Sequence, residues 1–267
     1  MPKLAMFVDV TKCVGCRACT VACKQWNKLP MDKTHFTGSY QNLPDLTPTT
    51  YRLVTFKEEP FGGSVNWHLL SHSCFHCNDA PCVKACPVPG AMTQSADKGY
   101  VAIDRKKCIG CKYCVTACPW GIPKYESKSE TVAKCTFCAE RVENNLTTAC
   151  SKSCPTGAIS FGDRDGLLAA AKKRAEASKK TFPKAQLYGP GAYGGKGTNV
   201  FYLLKEEPSF YGLPPEPVVS AALGFWKDVL RPLTGWGIGA TVIGALIHYL
   251  AKGPADYEEK GEGHGHS

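Results

Sequence analysis

No cysteine in this sequence stands alone. Its 267 residues include sixteen Cys, and all sixteen fall into four groups of four. No C-x-x-C-H occurs, which excludes a covalently attached c-type haem. The amino terminus, Met1-Pro2-Lys3-Leu4-Ala5-Met6-Phe7-Val8-Asp9, runs into the first Cys group without an apolar h-region or a twin-arginine signal. The chain is therefore not expected to export itself; it stays in the cytoplasm or crosses a membrane with a partner that carries the signal. The stretch Gly194-Gly195-Lys196-Gly197-Thr198 fails as a phosphate-binding loop, because Gly197 stands where Ser or Thr must follow Lys. No substrate-sized acid–base constellation appears. Between Pro232 and Ala251 there is no Asp, Glu, Lys or Arg.

The Cys groups are Cys13/16/19/23, Cys74/77/82/86, Cys108/111/114/118 and Cys135/138/150/154. Each opens with C-x2-C, and a Pro follows the fourth Cys in three of them (Pro87, Pro119, Pro155). Disulfide frameworks do not require that spacing. Zinc sites usually pair two C-x2-C halves, whereas here the third and fourth Cys follow closely. Cys108-Ile-Gly-Cys111-Lys-Tyr-Cys114-Val-Thr-Ala-Cys118-Pro119 is the C-x2-C-x2-C-x3-C-P run whose first three thiolates hold one iron–sulfur cubane and whose fourth reaches a second. Four such groups predict four [4Fe-4S] clusters. A membrane-anchored structural zinc protein is the alternative.

The formal charge of +9 suggests an anionic partner at first sight. Each oxidised cubane with four thiolates carries about −2, so four would contribute about −8 and cancel most of the excess. The Lys and Arg residues are better read as compensating clusters than as binding nucleic acid.

The flanking patterns indicate which groups pair. Group two is followed by a short strand near Gly90–Gln94, and group three is preceded by Tyr100–Asp104, also a strand. Group four is followed by Cys154-Pro-Thr-Gly-Ala-Ile-Ser-Phe161, and group one is preceded by the apolar run Ala5–Val10. Groups two and three thus have the two contexts of one ferredoxin-like unit, and groups one and four have them in reversed chain order. The expected fold is α+β, with two pseudo-symmetric bacterial-ferredoxin-like units, one inserted in the other. Residues 1–73 and 119–217 would form the permuted unit and 74–118 the inserted one. The alternative pairs neighbours, one with two and three with four. Crossed ligation then predicts four ligand sets: Cys13, Cys16, Cys19, Cys154 (centre A); Cys135, Cys138, Cys150, Cys23 (centre B); Cys74, Cys77, Cys82, Cys118 (centre C); and Cys108, Cys111, Cys114, Cys86 (centre D).

Elsewhere, Thr20–Lys28 and Asp165–Lys180 read as helices, residues 30–50 as a loop, and Asn199–Leu204 as a strand. Leu187–Thr198 reads as a Gly-rich loop and Pro208–Pro217 as a connector. Tyr51–Lys57 and Ser64–Leu70 read as a hairpin around Gly62-Gly63. His68, His72 and His76 flank group two and are expected to hydrogen-bond or pack rather than ligate iron.

The uncharged stretch Pro232–Ala251 is 20 residues long, about one bilayer thickness of helix. Arg231 and Lys252 bracket it, Trp236 and Tyr249 lie near its ends, and Gly235, Gly237, Gly239 and Gly244 offer small surfaces to another helix. It reads as a single transmembrane helix, preceded by an interfacial segment over residues 221–230 and followed by a polar tail, 253–267, with His264 and His266. His248 lies inside the span, where a hydrogen bond near the membrane edge competes with a role near haem or quinone.

Four Cys groups in this order, with the C-x2-C-x11-C-x3-C-P form of group four, resemble the iron–sulfur electron-transfer subunits of molybdopterin oxidoreductases. Cys13-Val-Gly-Cys-Arg-Ala-Cys, Cys74-Phe-His-Cys, Lys134-Cys-Thr-Phe-Cys, Tyr211-Gly-Leu-Pro, Trp226-Lys-Asp-Val-Leu-Arg-Pro-Leu and His248-Tyr249 are similar to the β subunits of membrane-bound respiratory formate dehydrogenases. The resemblance implies a non-catalytic subunit carrying electrons from a molybdenum or tungsten pterin subunit, which has its own Fe–S cluster, to a membrane cytochrome b and indirectly to quinone. It implies a bacterial inner-membrane location with the globular part periplasmic, exported with its partner. The same wire could serve a hydrogenase or a sulfur- or polysulfide-type reductase.

Overall fold

The apolar run at the amino terminus forms β1 (Leu4–Asp9), and the rest of the main sheet assembles around it. In the computed structural model, which describes residues 3–192, 195–218, 225 and 229–253, β1 pairs antiparallel with β8 (Ile159–Asp163) and parallel with β10 (Val200–Leu204). The sheet order is β8-β1-β10-β9, with β9 at Gln186–Tyr188. Side chains alternate between faces along each strand. Ala5, Phe7, Phe201 and Leu203 face one side, where Ala171 and Ala175 of α6 (Arg164–Ser178) cover them. Met6, Val8, Val200, Tyr202 and Leu204 face the other side, toward the cysteines. Both faces are covered, so β10 is buried along its whole length and reads as a continuous apolar run. The Asp163 carboxylate accepts the Gly166 N–H at 2.7 Å and caps α6.

The expected hairpin is present as β2 (Arg52–Phe61) and β3 (Ser64–Ser73). Gly62 and Gly63, at φ +53° and +81°, supply the two left-handed residues that a two-residue hairpin turn needs. Its tip is exposed, and its base carries Arg52, Leu53, Val54, Leu70 and Ser71 into the interior. Two smaller hairpins follow: β4 (Met92–Gln94) with β5 (Val101–Ile103), and β6 (Lys124–Glu126) with β7 (Thr131–Ala133).

Short helices carry the cysteines: α1 (Ala18–Trp26), α2 (Pro81–Ala85), α3 (Tyr113–Ala117) and α5 (Ala149–Lys152). Another, α4 (Ala139–Glu143), follows Cys138. The helix expected over Thr20–Lys28 lies two residues earlier. It is framed by Arg17 and Lys28, which are both left-handed (φ 59° and 51°).

One arrangement occurs twice. The strand before group one (β1) pairs antiparallel with the strand after group four (β8), while α1 packs on α5. The strand before group three (β5) pairs antiparallel with the strand after group two (β4), while α2 packs on α3.

The chain divides into two units, Met1–Leu223 and Gly224–Ser267. In the second, α7 (Arg231–Lys252) is the one described helix long and apolar enough to cross a membrane, over Pro232–Lys252. It exposes Leu233, Trp236, Ile238, Val242, Ile243, Leu246, Ile247 and Leu250 all round. Of the interfacial segment expected at 221–230, only Phe225, Val229 and Leu230 are among the described residues. The tail beyond Gly253, with His264 and His266, lies outside them.

Candidate functional site

Each Cys group begins with a C-x2-C loop, and the residue before its second Cys is left-handed in all four: Gly15 (φ +71°), His76 (+46°), Gly110 (+67°) and Phe137 (+63°). Glycine adopts this conformation freely. A Cβ at Gly15 would press on the Phe56 ring, and one at Gly110 would collide with the Glu130 carbonyl. His76 and Phe137 hold the same turn while almost completely buried. The turn bends the loop around its own sulfurs. The Phe137 N–H donates to Cys135 Sγ at 3.4 Å, and the Val132 N–H donates to Cys108 Sγ at 3.4 Å from outside its loop.

The loops bring the cysteines together across groups. One void is lined by Cys13, Cys16, Cys19 and Cys154, a second by Cys23, Cys135, Cys138 and Cys150, and a third by Cys86, Cys108, Cys111 and Cys114. Val8, Val14, Val54 and Ile159 help line the first, and Val88, Met92, Ile103 and Val132 the third. Of the remaining four, Cys82 lies within electrostatic reach of Cys74 and Cys118, and Cys118 within reach of Cys74. Cys77 is buried nearby in sequence, its backbone bridged to Thr198.

This donor set fits iron–sulfur cubanes. Burial pushes the Cys82 and Cys114 thiols up to about 12; neighbouring sulfurs add to the rise at both, and at Cys82 the Lys134 charge opposes it. Burial raises Cys135 to about 12 and Cys118 to about 11. Four thiolates crowded into an apolar void repel one another, and a cationic core supplies the missing positive charge. Among the described residues, no three His, Cys, Asp or Glu side chains converge closely enough to hold a single ion.

Polar groups without a motif signature surround the sulfurs. Ser71 Oγ lies 3.3 Å from Cys19 Sγ, Thr148 Oγ1 lies 3.4 Å from Cys150 Sγ, and Asn27 Nδ2 donates to Cys23 Sγ at 3.6 Å. Two buried cations, Arg52 and Lys134, lie among the groups. Only burial identifies them: Arg52 sits in an alternating strand where a polar residue reads as solvent-facing, and Lys134 reads as part of a motif. The three histidines hydrogen-bond and pack. His68 Nε2 lies 3.1 Å from Glu59, His72 stands edge-on to Phe75, and His76 Nδ1 accepts the Val101 N–H at 2.9 Å. Burial depresses His72 to about 4 and His76 well below the ordinary value, so both rings are neutral.

Comparison with known proteins agrees with this chemistry. Two family models described as 4Fe-4S dicluster domain match residues 12–90 and 65–164. A third, formate dehydrogenase N, transmembrane, matches 219–262, so the apolar helix is a membrane anchor. The nitrate-inducible formate dehydrogenase iron–sulfur subunit of Escherichia coli is 38% identical over 256 residues, covering 94% of this chain and 86% of that protein. The formate dehydrogenase iron–sulfur subunit of Haemophilus influenzae is 38% identical over 269 residues, 99% of this chain and 85% of the relative. Formate dehydrogenase 2 subunit beta (cytochrome c-553) of Nitratidesulfovibrio vulgaris is 38% identical over 218 residues, 79% and 97% of the two chains. Buried sulfur-lined voids on a membrane-anchored chain suit electron transfer, and this chain belongs to the formate dehydrogenase iron–sulfur subunit family.

Proposed function

We propose that the chain is a non-catalytic electron wire of four [4Fe-4S] clusters, held by centres A to D as assigned from the motifs. The grouping of cysteines in fours around three voids, with Cys74, Cys82 and Cys118 as a fourth neighbourhood, carries this reading. Bound there, each cubane takes up and releases one electron. The repeated strand-and-helix arrangement supports two ferredoxin-like units, with 74–118 inserted into the unit made from 1–73 and 119–217.

The cysteines suggest the order of the wire. Cys19 of centre A neighbours Cys150 of B, Cys135 of B neighbours Cys74 of C, and Cys82 of C neighbours Cys114 of D. That gives A–B–C–D. At the two ends, Cys16 and Cys111 are exposed beside Val14 and Ile109, which are 62% and 67% exposed. These apolar tips are where redox partners would approach. One partner is a molybdenum- or tungsten-pterin formate dehydrogenase subunit with its own cluster. The other is a membrane cytochrome b leading to quinone. The globular unit lies on the periplasmic side of a bacterial inner membrane, exported with the catalytic partner, and α7 offers Gly235, Gly237, Gly239 and Gly244 to a neighbouring helix.

Single-turnover reduction of the purified complex tests this reading. Formate is expected to reduce the clusters of this subunit, and Cys138→Ser in centre B is expected to block quinone reduction while formate oxidation with an artificial acceptor continues. Clusters that stay oxidised with formate but fill with hydrogen or sulfide would move the wire to a hydrogenase or sulfur-type reductase.

A further inference from the structure

Arg52 stands at the inner end of β2 with only 2% of its surface exposed. Its guanidinium donates to the Ser71 carbonyl at 3.2 Å, Ser71 Oγ at 2.8 Å, Ser73 Oγ at 2.7 Å and Met6 Sδ at 3.0 Å. All four acceptors are neutral. Arg105 and Arg174 pair with Glu126 and Asp9, whereas Arg52 makes no carboxylate pair among the described residues. A guanidinium does not shed its proton, and a buried charge without a counter-charge is strongly destabilising. The compensating negative charge must come from somewhere other than Asp or Glu.

The surroundings identify it. Arg52 lines the same void as Cys23, Cys135, Cys138 and Cys150. Ser71 Oγ, held by Arg52, also contacts Cys19 Sγ at 3.3 Å and lines the void of Cys13, Cys16, Cys19 and Cys154. One cation therefore borders two sulfur-lined voids, directly on one side and through a single hydroxyl on the other.

We propose that Arg52 is the shared counter-cation of centres A and B and sets the reduction potential of both. Adding an electron increases the negative charge in a void, and a fixed cation beside it stabilises the reduced form. Arg52 therefore raises both potentials above what their cysteines alone would give. Lys134, also 2% exposed, serves a different neighbourhood: it lies within reach of Cys82 and Cys118, and its Nζ donates to the carbonyls of Val101 and Cys135. Among the described residues no buried cation lines the void of centre D; Lys112, which does line it, rests over the Tyr125 ring. The inference rests on the clusters proposed above and adds an unequal distribution of potential along them.

EPR-monitored redox titration of the intact membrane complex, with iron analysis of every sample, tests it. In Arg52→Gln, two of the four centres are expected to shift to lower potential and two to stay. Arg52→Lys is expected to restore most of the shift, and Ser71→Ala to lower one centre only. Lys134→Met is expected to lower a centre that Arg52→Gln leaves unmoved. Full iron with four unchanged potentials, or four equal shifts, would overturn the assignment. If Arg52→Gln loses its iron, Ser71→Ala decides: an unmoved potential there also overturns it. Wild-type complex with no iron in this subunit would instead defeat the cluster reading itself.

Discussion

The rings of His76 and Phe137 lie 4.5 Å apart, and the two residues occupy the same left-handed position in two different cysteine loops. In the other two loops that position is glycine. A side chain there costs about 1–3 kcal/mol of backbone strain. His76 and Phe137 offset it by filling the space between the second and fourth Cys groups, where His76 also accepts the Val101 N–H. The inner loops are fastened by packing and the outer ones by glycine.

The two glycines are therefore not equivalent. At Gly15 an added methyl would meet the end of the Phe56 side chain at 2.9 Å, which can move. At Gly110 it would meet the Glu130 backbone, which cannot move without opening the β6–β7 hairpin. Gly110→Ala is expected to cost about 2–4 kcal/mol and Gly15→Ala about 1–2 kcal/mol. Thermal loss of cluster absorbance in each variant checks the order; equal losses would contradict it.

Asp32 ties down the long loop after α1. Its carboxylate accepts from Lys24 Nζ at 2.7 Å, Thr47 Oγ1 at 2.6 Å, Thr49 Oγ1 at 2.8 Å and Thr50 Oγ1 at 2.5 Å. Burial works to raise this carboxyl, but those bonds outweigh it and hold the group well below the usual carboxylate range. A depressed folded-state value means the stabilisation is complete above the unfolded value, about 3.9, and is lost as pH falls below it. Asp32→Asn is expected to destabilise by about 1–3 kcal/mol at neutral pH. Its deficit should shrink as pH drops through the carboxylate range, and limited proteolysis across residues 30–50 measures it. A deficit that grows in acid would rule out this account of the loop.

The anchor has its own test. A Lys at the centre of α7, as in Val242→Lys, costs about 2.5–3.5 kcal/mol of membrane insertion. The variant is expected to appear in carbonate extracts, where the wild type stays with the pellet. Equal retention would mean that partner subunits, not this helix, hold the chain in place.

Much of the site was legible because its chemistry is local in sequence. C-x2-C spacing marked all four loops, and the strands flanking them predicted that Cys154 would lie beside the group-one loop and Cys23 beside group four. The Gly62-Gly63 turn and the apolar run Val200–Leu204 carried their own signals. What stayed hidden depends on tertiary contacts. Strands β6 and β7 are three residues each, too short for a period of two to register. Arg52 and Lys134 are two among many cations that the sequence reads as compensating clusters, and only burial singles them out. His76 and Phe137 are not residue types that announce a left-handed turn; their neighbours impose it.

The proposed wire requires a cubane in each of the four cysteine neighbourhoods. Iron and acid-labile sulfide analysis of the anaerobically purified complex, with the catalytic subunit's own cluster subtracted, measures it directly. Four [4Fe-4S] clusters predict about 16 iron and about 16 sulfide per copy of this subunit, with spin–spin coupled cubane signals on reduction. Stoichiometric zinc without iron would contradict the account and leave a membrane-anchored metal scaffold in its place.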